Sequence, residues 1–340
     1  MIEIRDIVGR VSVLRRGEYS LEVDVVTELG VGRYAAPLDD DGLRVIAAER
    51  AVSEVDEIIG PELIGFNVTD QELIDSYLWE IDGTEDLSHI GANTALAVSV
   101  AVAKAGASSK GISLYTYLGG TFTTELPIPL IRVVESETAD YYVIVKDIME
   151  VTDSTDAAFK VMNYLEQPNL KELQRVIDKV SSETGLDVAL GILMKKEKDI
   201  EEIVSLVENF DVAYLRPIGN EELFIDLMSE LHGVFVDGEY LFKERGILDR
   251  RYYNALSIKP INFGTLTDVY NVVSDVKSER ISPIISEARY ESSDGTLAHL
   301  AVGFKCPAIR LDISSVEKIN ELIRIAEELG ERGRVITFEE

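Results

Sequence analysis

The chain has 340 residues, enough for one large domain or for two domains with their own cores. Its formal net charge is −29, and such a surface repels phosphate backbones and anionic lipids, so we expect no nucleic-acid partner and no membrane partner. Cys306 is the only cysteine, which excludes an internal disulfide, and the opening sequence MIEIRDIVGR has no apolar signal-peptide core. These features predict an acidic, cytoplasmic protein.

The first third of the chain predicts strands followed by helices. Residues 21–26 alternate between apolar and polar side chains like a half-buried strand, and Gly30 and Gly32 mark a turn. Three helices are predicted next, at about 43–59, from Thr69 with Glu72 completing a capping box, and at 95–107. The Gly-, Thr- and Pro-rich residues 118–127 then indicate a domain boundary.

From Pro127 onward, short β-rich runs alternate with amphipathic helical stretches. Eight strands are predicted, at 129–134, 142–147, 187–193, 212–215, 233–236, 255–259, 283–287 and 308–311. Helices are predicted between most of them, for example at 200–208, 265–276 and 316–329. Eight strands alternating with helices in about 200 residues predict a closed parallel barrel.

Three regions of the sequence carry recognisable motifs. The first reads IIGPELIGFNVTDQELIDSYLWEIDGT at 58–84 and HIGANTALAVSVAVAKAGASSKGISLYTYLGGT at 89–121. The second reads LSIKPINFGTLTD at 256–268, and the third reads DGTLAHLAVGF at 294–304 with LIRIAEELGE at 322–331. Together they resemble the enolase (phosphopyruvate hydratase) family. The resemblance implies an N-terminal α+β domain, here 1–122, followed by an α/β enolase-type TIM barrel with shortened loops, here 123–340.

The metal site that this resemblance implies is largely missing. Enolases hold Mg²⁺ with three carboxylates at the ends of barrel strands, and the metal stabilises the anion formed after proton abstraction. Here the three family positions fall at Leu193, at Leu215 or Arg216, and at Gly238. An apolar side chain cannot coordinate a hard cation, which needs oxygen ligands. We therefore expect no cofactor, unless the flanking Asp237 or Glu239 compensates and retains Mg²⁺.

Other catalytic parts of the family are lost or changed. Its mobile Ser-Gly-Ala-Ser-Thr-Gly loop and its Gly-Asp-Glu-Gly-Gly loop have no counterpart here. The resemblance places Lys259 at the family's general base and Asp147 at a family glutamate, so these two are the vestigial catalytic candidates. Arg310 falls at the last catalytic lysine, and the family's phosphate-gripping His-Arg-Ser aligns with residues 287–289. The candidate pocket residues are therefore Arg216, Asp237, Glu239, Glu287, Arg289 and Arg310.

Charge balance gives two interpretations of this altered pocket. In the first, three cations face three carboxylates and fill the former site as a roughly neutral ion-pair network. The cations are Arg216, Lys259 and Arg310, and the carboxylates are Asp147, Asp237 and Glu287. In the second interpretation, the same three cations bind a small carboxylate.

Three functions stay open on the sequence alone. The first is a non-catalytic enolase homologue, a pseudoenzyme that binds or regulates, as a homodimer or larger homo-oligomer with an unknown small-molecule ligand. The second is a metal-independent enzyme that acts on a small carboxylate through Lys259 with Asp147 or Glu287. The third is residual lyase activity of the enolase type, the dehydration of 2-phosphoglycerate to phosphoenolpyruvate. We favour them in that order.

Overall fold

The computed structural model of this chain describes residues 1–39 and 41–336. The chain divides into two compact units, each assembled from three segments. The first contains Met1–Thr123, Lys259–Val273 and Ser286–Phe304, and the second contains Thr124–Ile258, Ser274–Ile285 and Lys305–Glu340. The contiguous domain bounds 1–122 and 123–340 stay a prediction. No helix within the described residues is long and apolar enough to cross a bilayer.

An antiparallel three-stranded sheet opens the first unit, in the order β1-β2-β3. Its strands are β1 (Ile4–Val13), β2 (Tyr19–Thr27) and β3 (Val31–Ala35). The strand predicted at 21–26 is confirmed within β2, where Leu21, Val23 and Val25 have no exposed surface. Gly32 is required by packing, because a Cβ atom there would lie 2.0 Å from the carbonyl oxygen of Ala101.

In the described part of residues 1–123, a series of helices follows this sheet. They are α1 (Ala48–Glu54), which continues as a π-helical turn at Val55–Ile59, α2 (Gly60–Leu63), α3 (Gln71–Asp82), α4 (Ala92–Lys110) and α5 (Leu114–Gly119). The helix predicted at 95–107 is confirmed within α4, which is buried over nearly its whole length.

Two details of the predicted helices are wrong. The helix predicted from residue 43 begins only at Ala48. Its expected first turn does not form, because the side-chain amide of Asn93 accepts from the backbone N–H of Ile46 and donates to the carbonyl of Ile46, each at 3.0 Å. The capping box at Thr69 does not form either. Asn67 donates to the hydroxyl of Thr69 instead, and α3 begins after Asp70 without a side-chain cap.

The second unit contains an eight-stranded sheet that follows the short strand β4 (Glu125–Leu126). The strands of this sheet are β5 (Ile128–Glu135), β6 (Ala139–Val145), β7 (Val188–Met194), β8 (Val212–Arg216), β9 (Phe235–Val236), β10 (Ala255–Ile258), β11 (Ser282–Ser286) and β12 (Ala308–Asp312). They confirm all eight predicted strands, with bounds that differ by a few residues. A last strand, β13 (Arg334–Val335), pairs with β4.

The sheet runs in the order β10-β11-β12-β5-β6-β7-β8-β9, and a bridge between Asp237 and Ala255 joins its two ends. This arrangement gives the expected barrel, but its strands are not all parallel as predicted. β6 runs antiparallel to both β5 and β7, whereas β7, β8 and β9 are parallel. The reason is the connection between β5 and β6, which spans only residues 136–138 and is closed by the Ser136 side chain bonding to Ala139. So short a link joins antiparallel strands only.

Helices fill most of the connections between the barrel strands. They are α6 (Val151–Tyr164), α7 (Leu170–Thr184), α8 (Ile200–Asn209), α9 (Glu221–Glu230), α10 (Glu239–Arg245), α11 (Leu266–Ser278), α12 (Thr296–Gly303) and α13 (Val316–Leu329). The helices predicted at 200–208, 265–276 and 316–329 are confirmed as α8, α11 and α13. Barrel enzymes carry their active sites at the carboxyl ends of the parallel strands. In this chain, those strand ends lead into the connections that contain the helices.

Candidate functional site

Four of the residues predicted for the pocket come together at the carboxyl edge of the barrel. Arg216 ends β8, Asp237 and Glu239 follow β9, and Arg310 lies in β12. Arg310 Nη2 is 3.2 Å from Glu239 Oε2, and its Nη1 is 3.7 Å from Asp237 Oδ2. Arg216 Nε is 3.4 Å from the same Glu239 oxygen. Two guanidinium groups and two carboxylates thus form one network in which the formal charges cancel.

A tyrosine that the sequence analysis missed lies at the centre of these charges. Arg310 Nη1 donates to Tyr214 Oη at 2.7 Å, and Tyr214 Oη donates to Asp237 Oδ2 at 2.6 Å. Burial raises the pKa of the Tyr214 phenol well above its ordinary value, so the phenol keeps its proton. Successive side chains of a strand point to opposite faces, so residues 214 and 216 of β8 lie on the same face. This spacing could have pointed from Arg216 to Tyr214. We call Tyr214, Arg216, Asp237, Glu239 and Arg310 the barrel network.

The carboxylate of Asp237 is fully occupied by hydrogen bonds. Its Oδ1 accepts from the backbone N–H groups of Ser257 at 3.0 Å and Glu239 at 2.9 Å. Its Oδ2 accepts from the hydroxyl groups of Tyr214 and Ser257. Asp237 has no exposed surface. Both oxygens are therefore engaged inside the barrel, and neither faces solvent.

Arg310 is a buried cation whose charge is held by its neighbours. Its side chain is only 5% exposed. Burial by itself lowers the pKa of a guanidinium, but the carboxylates of Glu239 and Asp237, with the Tyr214 oxygen that accepts its hydrogen bond, outweigh that effect and raise the pKa of Arg310 well above its ordinary value. Arg310 therefore stays charged in the barrel interior and depends on the carboxylates beside it.

The remaining positions that the resemblance assigns to metal ligands carry no oxygen ligand. Leu193 stands opposite Arg216 in the pairing of β7 with β8. Gly238 is covered by Tyr253, since a Cβ atom at position 238 would lie 2.2 Å from the Tyr253 ring. Among the residues that the structure describes, no group of three or more His, Cys, Asp or Glu side chains is arranged to hold a metal ion.

A second charged cluster lies beside the barrel network in the same unit. Arg132 Nε donates to Asp312 Oδ2 at 2.8 Å, and Arg132 Nη1 is 3.3 Å from Asp140 Oδ2. Lys195 Nζ is 2.6 Å from the other oxygen of Asp140. Arg132, Asp140 and Asp312 were not singled out from the sequence, because each looks like an ordinary charged residue of a strand.

Tyr142 lies between the two clusters. Its ring meets the ring of Tyr214 edge to face with centroids 6.1 Å apart, and Arg310 and Arg132 both act on its phenol electrostatically. Burial raises the pKa of Tyr142 to about 12. Gly191 leaves room for this pair, because a Cβ atom there would lie 2.9 Å from Tyr142 Cβ.

Asp147 is not brought together with the barrel network. It is exposed and follows the end of β6, the antiparallel strand. Because β6 runs the other way, its end lies at the edge of the sheet where β7 and β8 begin. Lys146 lies at this edge, because it pairs with Asp187 at 3.2 Å and with Asp211 at 3.0 Å, the residues that directly precede β7 and β8.

The other three predicted residues belong to the first unit. Lys259 Nζ is 3.1 Å from Asp39 Oδ2, and the backbone N–H of Arg289 donates to the same oxygen at 3.3 Å. Glu287 pairs with Arg15 at 3.0 Å. No motif pointed to the partners Asp39 and Arg15, which lie far away along the chain.

Two family descriptions match this sequence. The family described as "Enolase, N-terminal domain" matches residues 4–118, and "Enolase, C-terminal TIM barrel domain" matches residues 240–337. Lys259 and Arg310 lie inside the second match, whereas Arg216 and Asp237 lie between the two matches. The enolase-type N-terminal domain and barrel expected from the resemblance are thereby confirmed.

Archaeal proteins named enolase are similar over nearly the whole chain. The enolase of Methanothermobacter thermautotrophicus is 32% identical over 404 aligned positions, covering 96% of this chain and 97% of the relative. The enolase of Pyrococcus furiosus is 32% identical over 431 positions, covering 99% of each. These alignments are longer than this chain of 340 residues, so the relatives contain segments with no counterpart here. With this identity over nearly its full length, the chain belongs to the enolase family.

Proposed function

We propose that this enolase-family chain is a non-catalytic homologue, a protein that binds or regulates and does not dehydrate 2-phosphoglycerate. The observation that carries the proposal is the saturated carboxylate of Asp237. Tyr214, Ser257 and the backbone N–H of Glu239 already use its two oxygens. Of the two carboxylates that flank Gly238, Asp237 thus serves the protein's own interior, and Glu239 is paired with Arg216 and Arg310.

The residues present do not fit Mg²⁺. This ion demands near-octahedral oxygen ligands, and Leu193 offers none. Arg216 puts a positive charge at the next position, and Gly238 has neither a side chain nor room for one. Turning Asp237 onto a metal would leave the hydroxyl groups of Tyr214 and Ser257 unpaired in the interior, at about 1–3 kcal/mol for each.

The charge balance of the barrel network also disfavours the family's reaction. Removing a carbon-bound proton beside a carboxylate creates further negative charge, which must be met by positive groups already in place. In the barrel network, Arg216 and Arg310 are neutralised by Asp237 and Glu239. Losing even one preorganised donor costs about 2.7–4 kcal/mol, or roughly 10²–10³ in rate, and the family's metal supplies more than one such interaction.

Metal-independent catalysis through Lys259 ranks second. It needs an amine that is free to take a proton, whereas the Lys259 amine is paired with Asp39. Its suggested helpers are placed poorly for the task, since Glu287 is paired with Arg15 and Asp147 is exposed at the amino-terminal edge of β7 and β8.

The proposal extends to assembly and location. The family resemblance favours a homodimer or larger homo-oligomer in the cytoplasm, and the net charge of −29 disfavours nucleic-acid and membrane partners. Sedimentation velocity on the purified chain measures the oligomeric state directly. A monomer at micromolar concentration would remove the oligomer from the proposal and leave the non-catalytic role unaffected.

The test of function is a side-by-side assay of 2-phosphoglycerate dehydration in excess Mg²⁺. It compares this chain, its Lys259→Ala variant and the Pyrococcus furiosus enolase, which serves as the positive control. We expect this chain and its variant to give the same background rate. Turnover by this chain at an ordinary enzymatic rate of about 1–10³ s⁻¹, lost in Lys259→Ala, would refute the proposal.

A calorimetric titration with Mn²⁺ distinguishes a residual enolase from a chain without a metal site. We expect no saturable binding by this chain, whereas a residual enolase binds the ion stoichiometrically. A metal-independent enzyme would instead show a higher melting temperature in a small carboxylate, with or without metal, because a ligand that binds the native state stabilises it. Loss of that shift in Lys259→Ala would favour the second function.

A further inference from the structure

Residues 36–39 form a strap that is tied to a loop of the same unit. Leu38 and Tyr290 make an antiparallel bridge, in which Leu38 N donates to the Tyr290 carbonyl at 2.9 Å and Tyr290 N donates to the Leu38 carbonyl at 3.0 Å. Ala36 has no exposed surface, and Asp39 is 9% exposed. The strap is thus held by backbone hydrogen bonds and packed into the first unit.

The loop that receives the strap, residues 287–292, is itself fixed. The Glu291 side chain is buried and accepts from the backbone N–H groups of Ala288 at 2.9 Å and Ser292 at 3.1 Å. Arg15 ties the loop from outside, through an ion pair with Glu287 at 3.0 Å and a backbone hydrogen bond to Glu291 at 3.1 Å. The strap is therefore tied to a rigid support.

The strap presents one carboxylate to one amine. Asp39 Oδ2 is 3.1 Å from Lys259 Nζ and also accepts from the backbone N–H of Arg289. The Asp39 side chain is 4% exposed and the Lys259 side chain 14%. At this distance and burial, a carboxylate favours the ammonium form of an amine, and that form is neither a base nor a nucleophile.

We propose that Asp39 is an internal counter-ion that withholds the Lys259 amine from ligands and from proton transfer. The strap and its loop fix Asp39 on Lys259, so the contact is autoinhibitory by construction. This inference goes beyond the proposed function, because it depends on the first unit and on none of the contacts of the barrel network. Removing the carboxylate should make the amine more reactive without restoring any metal site.

The experiment measures how fast each lysine of the folded, full-length chain is acetylated by N-hydroxysuccinimide acetate, with peptide mass spectrometry as the readout. Asp39→Asn keeps the size of the side chain and removes its charge. We expect Lys259 to be acetylated about tenfold faster in this variant, the lower end of what an opposite charge at this distance does to protonation of an amine. Lys146, paired with Asp187 and Asp211, is the internal reference and should keep its rate.

A matched control is Asp86→Asn, which removes one exposed carboxylate of the same unit that pairs with Arg44 at 3.8 Å. It should leave the Lys259 rate unchanged. Asp39→Ser is measured in parallel, and unchanged labelling of Lys104, which donates to Thr296 at 3.0 Å within the first unit, is the sign that this unit is folded in each variant. Equal Lys259 rates in the wild type and in the folded Asp39 variant would overturn the inference, as would an equal rise in Asp86→Asn. Turnover of 2-phosphoglycerate by the wild-type chain, together with the tenfold rise in Asp39→Asn, would refute the proposed function alone.

Discussion

Two clusters in this protein contain the same charges in different surroundings. The barrel network joins two arginines to two carboxylates in the interior of the second unit. A sheet network, made of Arg10, Glu22, Asp24 and Arg33, does the same on the strands of the first unit. There Arg10 is 2.8 Å from Glu22, and Arg33 is 2.6 Å from Asp24. The Arg33 side chain is 60% exposed, against 5% for Arg310.

The difference in exposure decides what each arginine contributes to stability. An exposed ion pair gains about 0–1 kcal/mol, because water screens the charges and the long side chains lose freedom. In the interior the pair itself is a weak source of stability, but removing one partner costs about 3–5 kcal/mol because a bare charge stays buried. No single charged member of the barrel network can therefore be removed without a large loss of stability, whereas the sheet network can lose a member.

Replacing Arg310 with methionine is expected to have the largest effect. Methionine fills a similar length but leaves Asp237 and Glu239 without the cation between them. We expect the free energy of unfolding to fall by about 3–5 kcal/mol, measured by urea denaturation at neutral pH. Arg33→Met, the matched change in the sheet network, should cost at most about 1 kcal/mol. Equal costs for the two variants would show that burial is not what separates the clusters.

Removing only the Tyr214 hydroxyl should have an intermediate effect. Tyr214→Phe takes away one hydrogen bond from Arg310 and one from Asp237, while both charges stay and lie 3.7 Å apart. We expect a loss of about 1–3 kcal/mol in the free energy of unfolding. Tyr77→Phe is the control, because the Tyr77 hydroxyl donates to the carboxylate of Glu62 at 2.8 Å in an exposed pair. A loss in Tyr77→Phe as large as that in Tyr214→Phe would contradict the central role of Tyr214.

Most of the barrel could be predicted from the sequence because its strands are buried on both faces. Such strands read as short continuous apolar runs, for example VALGILM in β7, and eight of them stand out between amphipathic helices. The direction of β6 could not be predicted in the same way. An antiparallel strand between two buried neighbours has the same apolar composition as a parallel one, so its direction depends on the short turn at 136–138.

The candidate site could be predicted only for residues that a motif places at the end of a barrel strand. Arg216, Asp237 and Arg310 follow from motifs at strand ends, and the structure joins them. Asp147 was assigned by its motif, but the reversed β6 carries it to the other edge of the barrel. The pair of Lys259 with Asp39 joins residues from distant parts of the sequence, and such a contact has no local periodicity that a sequence pattern could reveal.

The sheet network should show the smallest effect, and that effect should depend on pH. Arg33, followed by Arg10, holds the pKa of Asp24 well below its ordinary value of 3.8. The folded state therefore binds this proton more weakly than the unfolded chain, so the stabilisation is present above pH 3.8 and is lost as the pH falls further. Compared with Asp24→Asn, the wild type should be more stable by about 1 kcal/mol or less at pH 7, since Arg33 is largely exposed. Urea denaturation from pH 7 to pH 3 should show this difference shrinking.

Asp75, in the same unit, should show the opposite dependence of stability on pH. It is 1% exposed, and burial raises its pKa above 3.8 although Thr267 donates to it from both its N–H and its hydroxyl. The folded state binds this proton more tightly than the unfolded chain, so its contribution is greatest below pH 3.8 and declines as the pH rises through the folded pKa. The stability difference between the wild type and Asp75→Asn should therefore fall with rising pH, while the difference for Asp24→Asn grows. Parallel slopes for the two variants would mean that neither the arginines beside Asp24 nor the burial of Asp75 sets the protonation of these carboxylates.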